Sequence, residues 1–329
     1  MELVTPSVRT LKPFRVGTTL TLAVAIVVLG VFLSVAAPGF LSAFNLINVL
    51  RQISLTSIMA IGFGVVVMTG GMDISMGNVA ALVGMFVASL IAYVHLSLPL
   101  ALVLALLLGV LIGLINGAVI AYLKVPPFIE TLAMLFIVQG INFQTTNGFP
   151  IFEGLTSAFL FIGQGYLGPI PMPVVITAVM FLVVHFFFRE TVWGQHIYAV
   201  GGSEESARVT GLDVPKVKLL AYAVAGFCAA LTGIIMTARL GTAQPAAAGP
   251  DFFLTAITAA VLGGVALTGG EGSMLGIFVG ALFLGILANG LTLLKVSSYS
   301  QWTVTGILLI LSIVWNTIQK GQRGADYAP

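Results

Sequence analysis

Few side chains in this chain could do chemistry, and the most suggestive is Asp73, in Met68-Thr69-Gly70-Gly71-Met72-Asp73-Ile74-Ser75-Met76-Gly77 between two apolar runs. An ionised carboxylate beside hydrocarbon is costly and often functional. Asp73, with Ser75 next to it, is therefore a candidate coupling acid for a proton- or sodium-driven step. The same residues fit a turn at a membrane surface, where Asp73 caps the next helix by accepting backbone N–H bonds. A second turn, Leu267-Thr268-Gly269-Gly270-Glu271-Gly272-Ser273-Met274, repeats the order of two glycines, an acid and a serine. Paired glycines free backbone groups that lipid cannot satisfy, so each turn belongs at an interface or along a cavity. The likeness hints at an internal duplication.

Other chemistry is excluded by what is missing. His95, His185 and His196 are scattered at the ends of apolar runs, and no His-Glu-x-x-His, Cys-x-x-Cys or Gly-x-Ser-x-Gly occurs. No lysine is followed by serine or threonine, so there is no phosphate-cradling Gly-x4-Gly-Lys-[Ser/Thr] loop. The single cysteine, Cys228, can build neither a disulfide nor a thiolate metal site within the chain. We therefore expect no catalytic residues, no metal and no cofactor bound by this chain. The net charge of +2 is too small and scattered to point to nucleic acid.

The elements that must position Asp73 are membrane helices. Hydrophobic residues make up 59% of the 329 and charged residues 7%, against about a quarter charged in a soluble domain. Crossing about 30 Å of hydrocarbon takes about 20 helical residues. The pattern predicts an all-α polytopic protein of ten spans near 18–37, 52–69, 76–94, 99–123, 127–145, 172–188, 219–240, 254–268, 274–294 and 301–318. The first is longer than the apolar core of a signal peptide, so it reads as a retained helix. Residues 1–17 and 319–329 then form cytoplasmic ends of an 18–318 transmembrane domain. Lysine and arginine set the orientation: ten fall inside if the N-terminus is cytoplasmic, and only Arg51, Arg239 and Lys295 fall outside. In this topology both glycine turns point the same way, whereas five-helix halves should be inverted. Gly109-x3-Gly113-x3-Gly117 and Gly272-x3-Gly276-x3-Gly280 place small residues on one helix face for close packing in lipid, within the chain or between copies.

Outside the hydrocarbon, the extracytoplasmic connectors are Pro38–Arg51, with a short amphipathic stretch holding Asn45 and Asn48, then Thr146–Pro171 and Gly241–Phe253. Asn45, Asn48, Arg51, Arg239 and Gln244 are candidate docking residues there. Within or near spans, Asn116, Gln139, Asn142 and Asn289 join Asp73 and Ser75 as candidates for lining a path, or else for bonding helix to helix. On the cytoplasmic side, Arg189–Lys218 concentrates nine of the 27 charged or histidine side chains. In it, Ser203 can cap a helix whose first turn holds Glu204 and Glu205, followed by Ala207 and Arg208, with Gly211 placed to end it. A short helix held between spans can transmit a push from a soluble partner.

These segments resemble the permease subunits of ribose-type ATP-binding-cassette importers, over about Phe40 to Trp315. The likeness rests on Gly70–Gly77, Tyr198–Gly211, Ala238-Arg239-Leu240-Gly241-Thr242-Ala243-Gln244-Pro245, Ala260-Val261-Leu262-Gly263-Gly264 leading to Gly269-Gly270, and Asn289-Gly290-Leu291. The resemblance implies a multi-pass inner-membrane permease paired as a homodimer or a paralogue heterodimer. A cytoplasmic ATPase holding ATP and Mg would drive it, and a periplasmic solute-binding protein would feed it. It also implies that Glu205-Ser206-Ala207-x3-Gly211 seats the ATPase. Where such members often carry Glu-Leu-Asp, this chain has Phe253-Leu254-Thr255, which resembles relatives handling other small polyhydroxy solutes, including the autoinducer-2 type. The alternative reading is an ion-coupled secondary transporter using Asp73.

Overall fold

The computed structural model describes residues 18–247 and 250–325. Thirteen helices and one two-stranded hairpin follow in order: α1 Thr18–Ala36, α2 Ala43–Met68, α3 Met76–Ala92, α4 Leu98–Tyr122, α5 Pro127–Thr146, α6 Ser157–Gln164, β1 Tyr166–Leu167, β2 Ile170–Pro171, α7 Met172–Glu190, α8 Val192–Gly202, α9 Glu204–Val209, α10 Val214–Leu240, α11 Pro250–Leu262, α12 Met274–Leu293 and α13 Ser298–Ala325. Among the described residues eight helices are long and apolar enough to cross a membrane, and α3 and α11 are shorter apolar helices. These account for the ten expected spans. Prolines open α4, α5, α7 and α10, where the missing N–H costs no hydrogen bond and φ is already helical.

α2 and α10 form the centre. From Ile53 to Met68 every residue of α2 is buried, which an all-round apolar sequence permits only inside a bundle. α10 meets α2 at Gly62, where a Cβ would come within 2.6 Å of Cys228 Cβ. Its other face meets α4 along the predicted glycine ladder: methyls on Gly109 or Gly113 would collide with the backbone of Gly226 or Tyr222. The second ladder packs α12 on α11, with Gly276 against the Gly263 carbonyl and Gly280 against that of Ala259. Both ladders thus serve packing within the chain. α1 lies on the outside of α12, where Leu33 fills the space over Gly290.

Four boundaries differ from expectation. α2 starts at Ala43, because Ser42 accepts the Asn45 N–H and caps it; the supposed amphipathic stretch is its first two turns. The expected span 254–268 stops at Leu262, where Gly264 (φ +90°) takes the left-handed position and Val265 N–H closes on the Ala260 carbonyl. The connector 146–171 is built, not loose: Thr156 caps α6, and Phe159 is fully buried. Last, the 189–218 loop holds α8 as well as the expected short helix.

Candidate functional site

The predicted helix of the charged loop is α9. Ser203 Oγ accepts the Ser206 N–H at 3.2 Å, and Gly211 (φ +87°) closes the other end with Gly211 N–H to Arg208 O and Leu212 N–H to Ala207 O, the paired bonds of a Schellman cap. Ala207 faces inward and is buried, whereas Glu205 and Arg208 are exposed and Val209 is 80% exposed. Glu204 receives Lys218 Nζ at 2.6 Å and Arg208 at 3.1 Å. The Lys218 hydrogen bond, aided by the charges of Lys218 and Arg208, holds the Glu204 carboxyl below its ordinary range against the opposing effect of partial burial. α9 therefore presents a small, rigid, mixed charged and apolar face, with its base pinned to the start of α10.

Below it, three glycine pairs distant in sequence meet. Gly70 and Gly71 end α2, Gly201 and Gly202 end α8, and Gly269 and Gly270 lie in the turn between α11 and α12. Gly270 N–H donates to the Met68 carbonyl at 3.0 Å. A Cβ on Gly201 would fall on that carbonyl and on the Gly270 amide, and one on Gly269 would lie 2.8 Å from Gly201 O and Gly70 N. Tyr198 Oη donates to Gly272 O at 2.9 Å, and burial raises the phenol so that it keeps its proton. The two glycine turns do share one end of the bundle and one orientation. Both lie against the end of α8.

Asp73, Ser75 and Asn116 come together beside this junction. Asp73, 2% exposed, accepts Ser75 N at 2.9 Å and Ser75 Oγ at 2.6 Å. It caps the turn before α3, not α3 itself, whose N-cap Ser75 makes no side-chain cap bond. The Asn116 amide can be seated two ways. In one it donates to Asp73 Oδ2 and Ser75 Oγ; in the other it donates to Glu130 Oε1 and Ile112 O. Tyr222 Oη accepts Met72 N–H and donates to Met72 O, and Thr131 Oγ1 accepts Ile74 N–H. The turn is thus tied to α4, α5 and α10. Glu130, 7% exposed, is the site residue sequence reading missed; its signal was an acid just inside a span opened by Pro126-Pro127.

The remaining path candidates disperse. Asn142 donates to Pro245 O at 2.7 Å and ties α5 to the loop after α10. Asn289 pairs with Asn45 in a two-way amide clasp, 2.9 and 2.8 Å. Gln139 is exposed on α5. The docking candidates also divide. Asn45, 8% exposed, is withdrawn from the surface by its clasp, a correction to its assignment. Asn48 is half-buried and Gln244 exposed. Arg51 lies 4.8 Å over the Tyr166 ring and donates to Gln164 O, while the Gln164 amide donates to the Ala238 and Arg239 carbonyls. These contacts join α2, α6 and α10 at the end opposite α9.

At that opposite end a cavity of 610 Å³ opens between α2, α10, α11, α12 and α13. Its lining includes Gln52, Thr56, Arg239, Thr255, Gln301, Trp302 and Thr305 over a floor of Leu55, Met236, Leu284 and Leu287. Among these, Arg239 was singled out from sequence as a docking candidate and Thr255 as part of the Phe253-Leu254-Thr255 departure. The others were legible as polar residues one helical turn apart, Gln52 with Thr56 and Gln301 with Thr305, in otherwise apolar helices. Amides, hydroxyls, an indole and the Arg239 guanidinium over an apolar floor suit a small solute carrying many hydrogen-bonding groups.

Residues 45–313 match the family model described as "Branched-chain amino acid transport system / permease component". The chain belongs to this family of transport permeases. It is 40% identical to the ribose import permease protein of Escherichia coli (strain K12) over 294 residues, 88% of this chain and 91% of that one. It is 38% identical to the ribose import permease protein of Haemophilus influenzae, over 88% and 90% of the two chains. The xylose transport system permease protein of the same organism is 33% identical, over 90% and 95%. No solved structure matches. The protein is a multi-pass inner-membrane permease subunit, a component of a transport system.

Proposed function

We propose that this permease imports a monosaccharide or a similar small polyhydroxy solute, ribose-type or autoinducer-2-like, in alternating access driven by a separate ATPase that holds ATP and Mg. A periplasmic solute-binding protein delivers the solute to the end of the bundle carrying the 610 Å³ cavity. A second permease copy, identical or paralogous, completes the membrane unit. The N-terminus and the charged loop lie in the cytoplasm in this reading, which the placement of lysine and arginine supports.

One observation carries this reading beyond the family: α9 is a capped, charge-pinned helix outside the spans, seated on a junction of bare backbone. A helix positioned this way can pass a push from a soluble partner to the spans, which supports a separate ATPase. The ribose and xylose permeases among the relatives support the solute class, and the cavity lining agrees with it. Branched-chain amino acids, named in the family description, carry an ammonium and a carboxylate besides an apolar side chain; Arg239 could meet the carboxylate, but no acid among the described lining residues would meet the ammonium, whereas the hydroxyls and amides match a sugar.

The test is reconstitution in sealed vesicles with a partner ATPase and a solute-binding protein from the same source. Labelled monosaccharide should accumulate only when ATP, Mg and both partners are present. Accumulation driven by a proton or sodium gradient without the ATPase would overturn the reading in favour of ion coupling.

A further inference from the structure

The outer cavity and the glycine junction share one element. α11 contributes Phe252 and Thr255 to the cavity lining, and its other end runs into the turn whose Gly269 and Gly270 touch Gly201. Its 13 residues span about 20 Å at the helical rise, so a shift at one end reaches the other as a rigid displacement.

The lower contact is suited to passing such a shift on. With no side chain between Gly201 and the Met68 and Gly270 backbones, nothing compressible lies between α8 and its neighbours, and close-packed contacts move as units or not at all. Bonds of the turn run to both partners: Gly270 N–H donates to Met68 O of α2, and Tyr198 Oη of α8 donates to Gly272 O. It can follow either partner. Alongside, α11 rests on α12 through Gly263, Gly276, Ala259 and Gly280, a close backbone seam of the same kind, so a displacement of α11 is shared with α12.

We propose that α11 with its glycine turn is the lever through which movement of α8 and α9 opens and closes the outer cavity, with Gly201 as the positioning residue at the point of contact. The inference rests on the importer reading above and adds a route to it.

Neighbouring glycines supply the test. Gly201→Ala places a methyl against the Met68 and Gly270 backbones, whereas a methyl at Gly202 meets nothing within 4 Å. In the reconstituted importer, Gly201→Ala should still co-purify with the ATPase and hydrolyse ATP within about twofold of the parent, yet lose at least tenfold in solute moved per ATP. Gly202→Ala should match the parent on every measure. Equal transport by the two variants would overturn the lever. Should Gly201→Ala fail to fold, Thr255→Cys on the otherwise intact chain gives a second measurement. Its rate of modification by a soluble thiol reagent should change several-fold between nucleotide-free and ATP-bound importer, and an unchanged rate would overturn the proposal. A parent importer with no ATP-dependent uptake would instead sink the importer reading and take the lever with it.

Discussion

The two ends of this bundle are built on opposite terms. At the end carrying α9, glycine removes side chains until backbone rests on backbone, and the bonds there run from Gly270 to Met68 and from Tyr198 to Gly272. At the other end amides, hydroxyls, an indole and one guanidinium surround 610 Å³ of open space. A contact that must transmit displacement gains from having nothing soft in it. A chamber that must accept and release a solute gains from weak, replaceable hydrogen bonds. The same apolar helices serve both because glycine, not charge, marks the stiff end.

The sharpest way to break this contrast is to add bulk at both ends. Gly263→Leu forces a side chain into the Gly276 backbone and should cost about 3 kcal/mol or more, leaving little folded protein by size-exclusion chromatography in detergent. Thr255→Leu in the cavity should fold normally and alter only uptake. Equal tolerance at the two positions would remove the distinction.

Next in size is the indole. If Trp302 stacks on a sugar ring, Trp302→Ala should raise KM for uptake about tenfold, about 1.4 kcal/mol, with ATP hydrolysis by the partner unchanged. An unaltered KM would place the solute elsewhere. Smaller again is the Asn45–Asn289 clasp. Either single change to leucine strands a half-buried amide and should lower the unfolding free energy by about 1–3 kcal/mol, whereas the double change should cost clearly less than the two together. Strict additivity in thermal unfolding would show that the two amides do not support each other.

The smallest effect is on α9. Because Glu204 is held below its ordinary range, its contribution to the helix is complete above that range and disappears as the pH falls through the lowered value. Amide exchange over residues 204–209, corrected for its intrinsic pH dependence, should show protection lost on acidification below about pH 4 and none lost between pH 6 and 8. A pH-independent profile would mean that the Lys218 bond does not hold α9.

Much of this was legible in the chain. Span length and apolar content predicted the helices, and Ser203 and Gly211 marked α9 because caps are local signals. The three glycine pairs were visible too, but not their meeting, since contact between residues 70, 201 and 270 depends on tertiary packing and leaves no local trace. The early end of α11 was hidden for a related reason: Gly263-Gly264 sits inside a run whose hydrophobicity continues to Leu267, and composition does not register a left-handed turn. Asn45, Asn142 and Asn289 were read by side-chain type, and an amide looks the same whether it faces a solute or another amide.

Cys228 carries a practical consequence. It is fully buried between α10 and α2, against Gly62, out of reach of water-soluble maleimides while the protein is folded. Any thiol engineered at α9, at the junction or in the cavity can then be labelled in the native sequence, so distances and rates along the path can be measured without first replacing a residue at the centre of the fold.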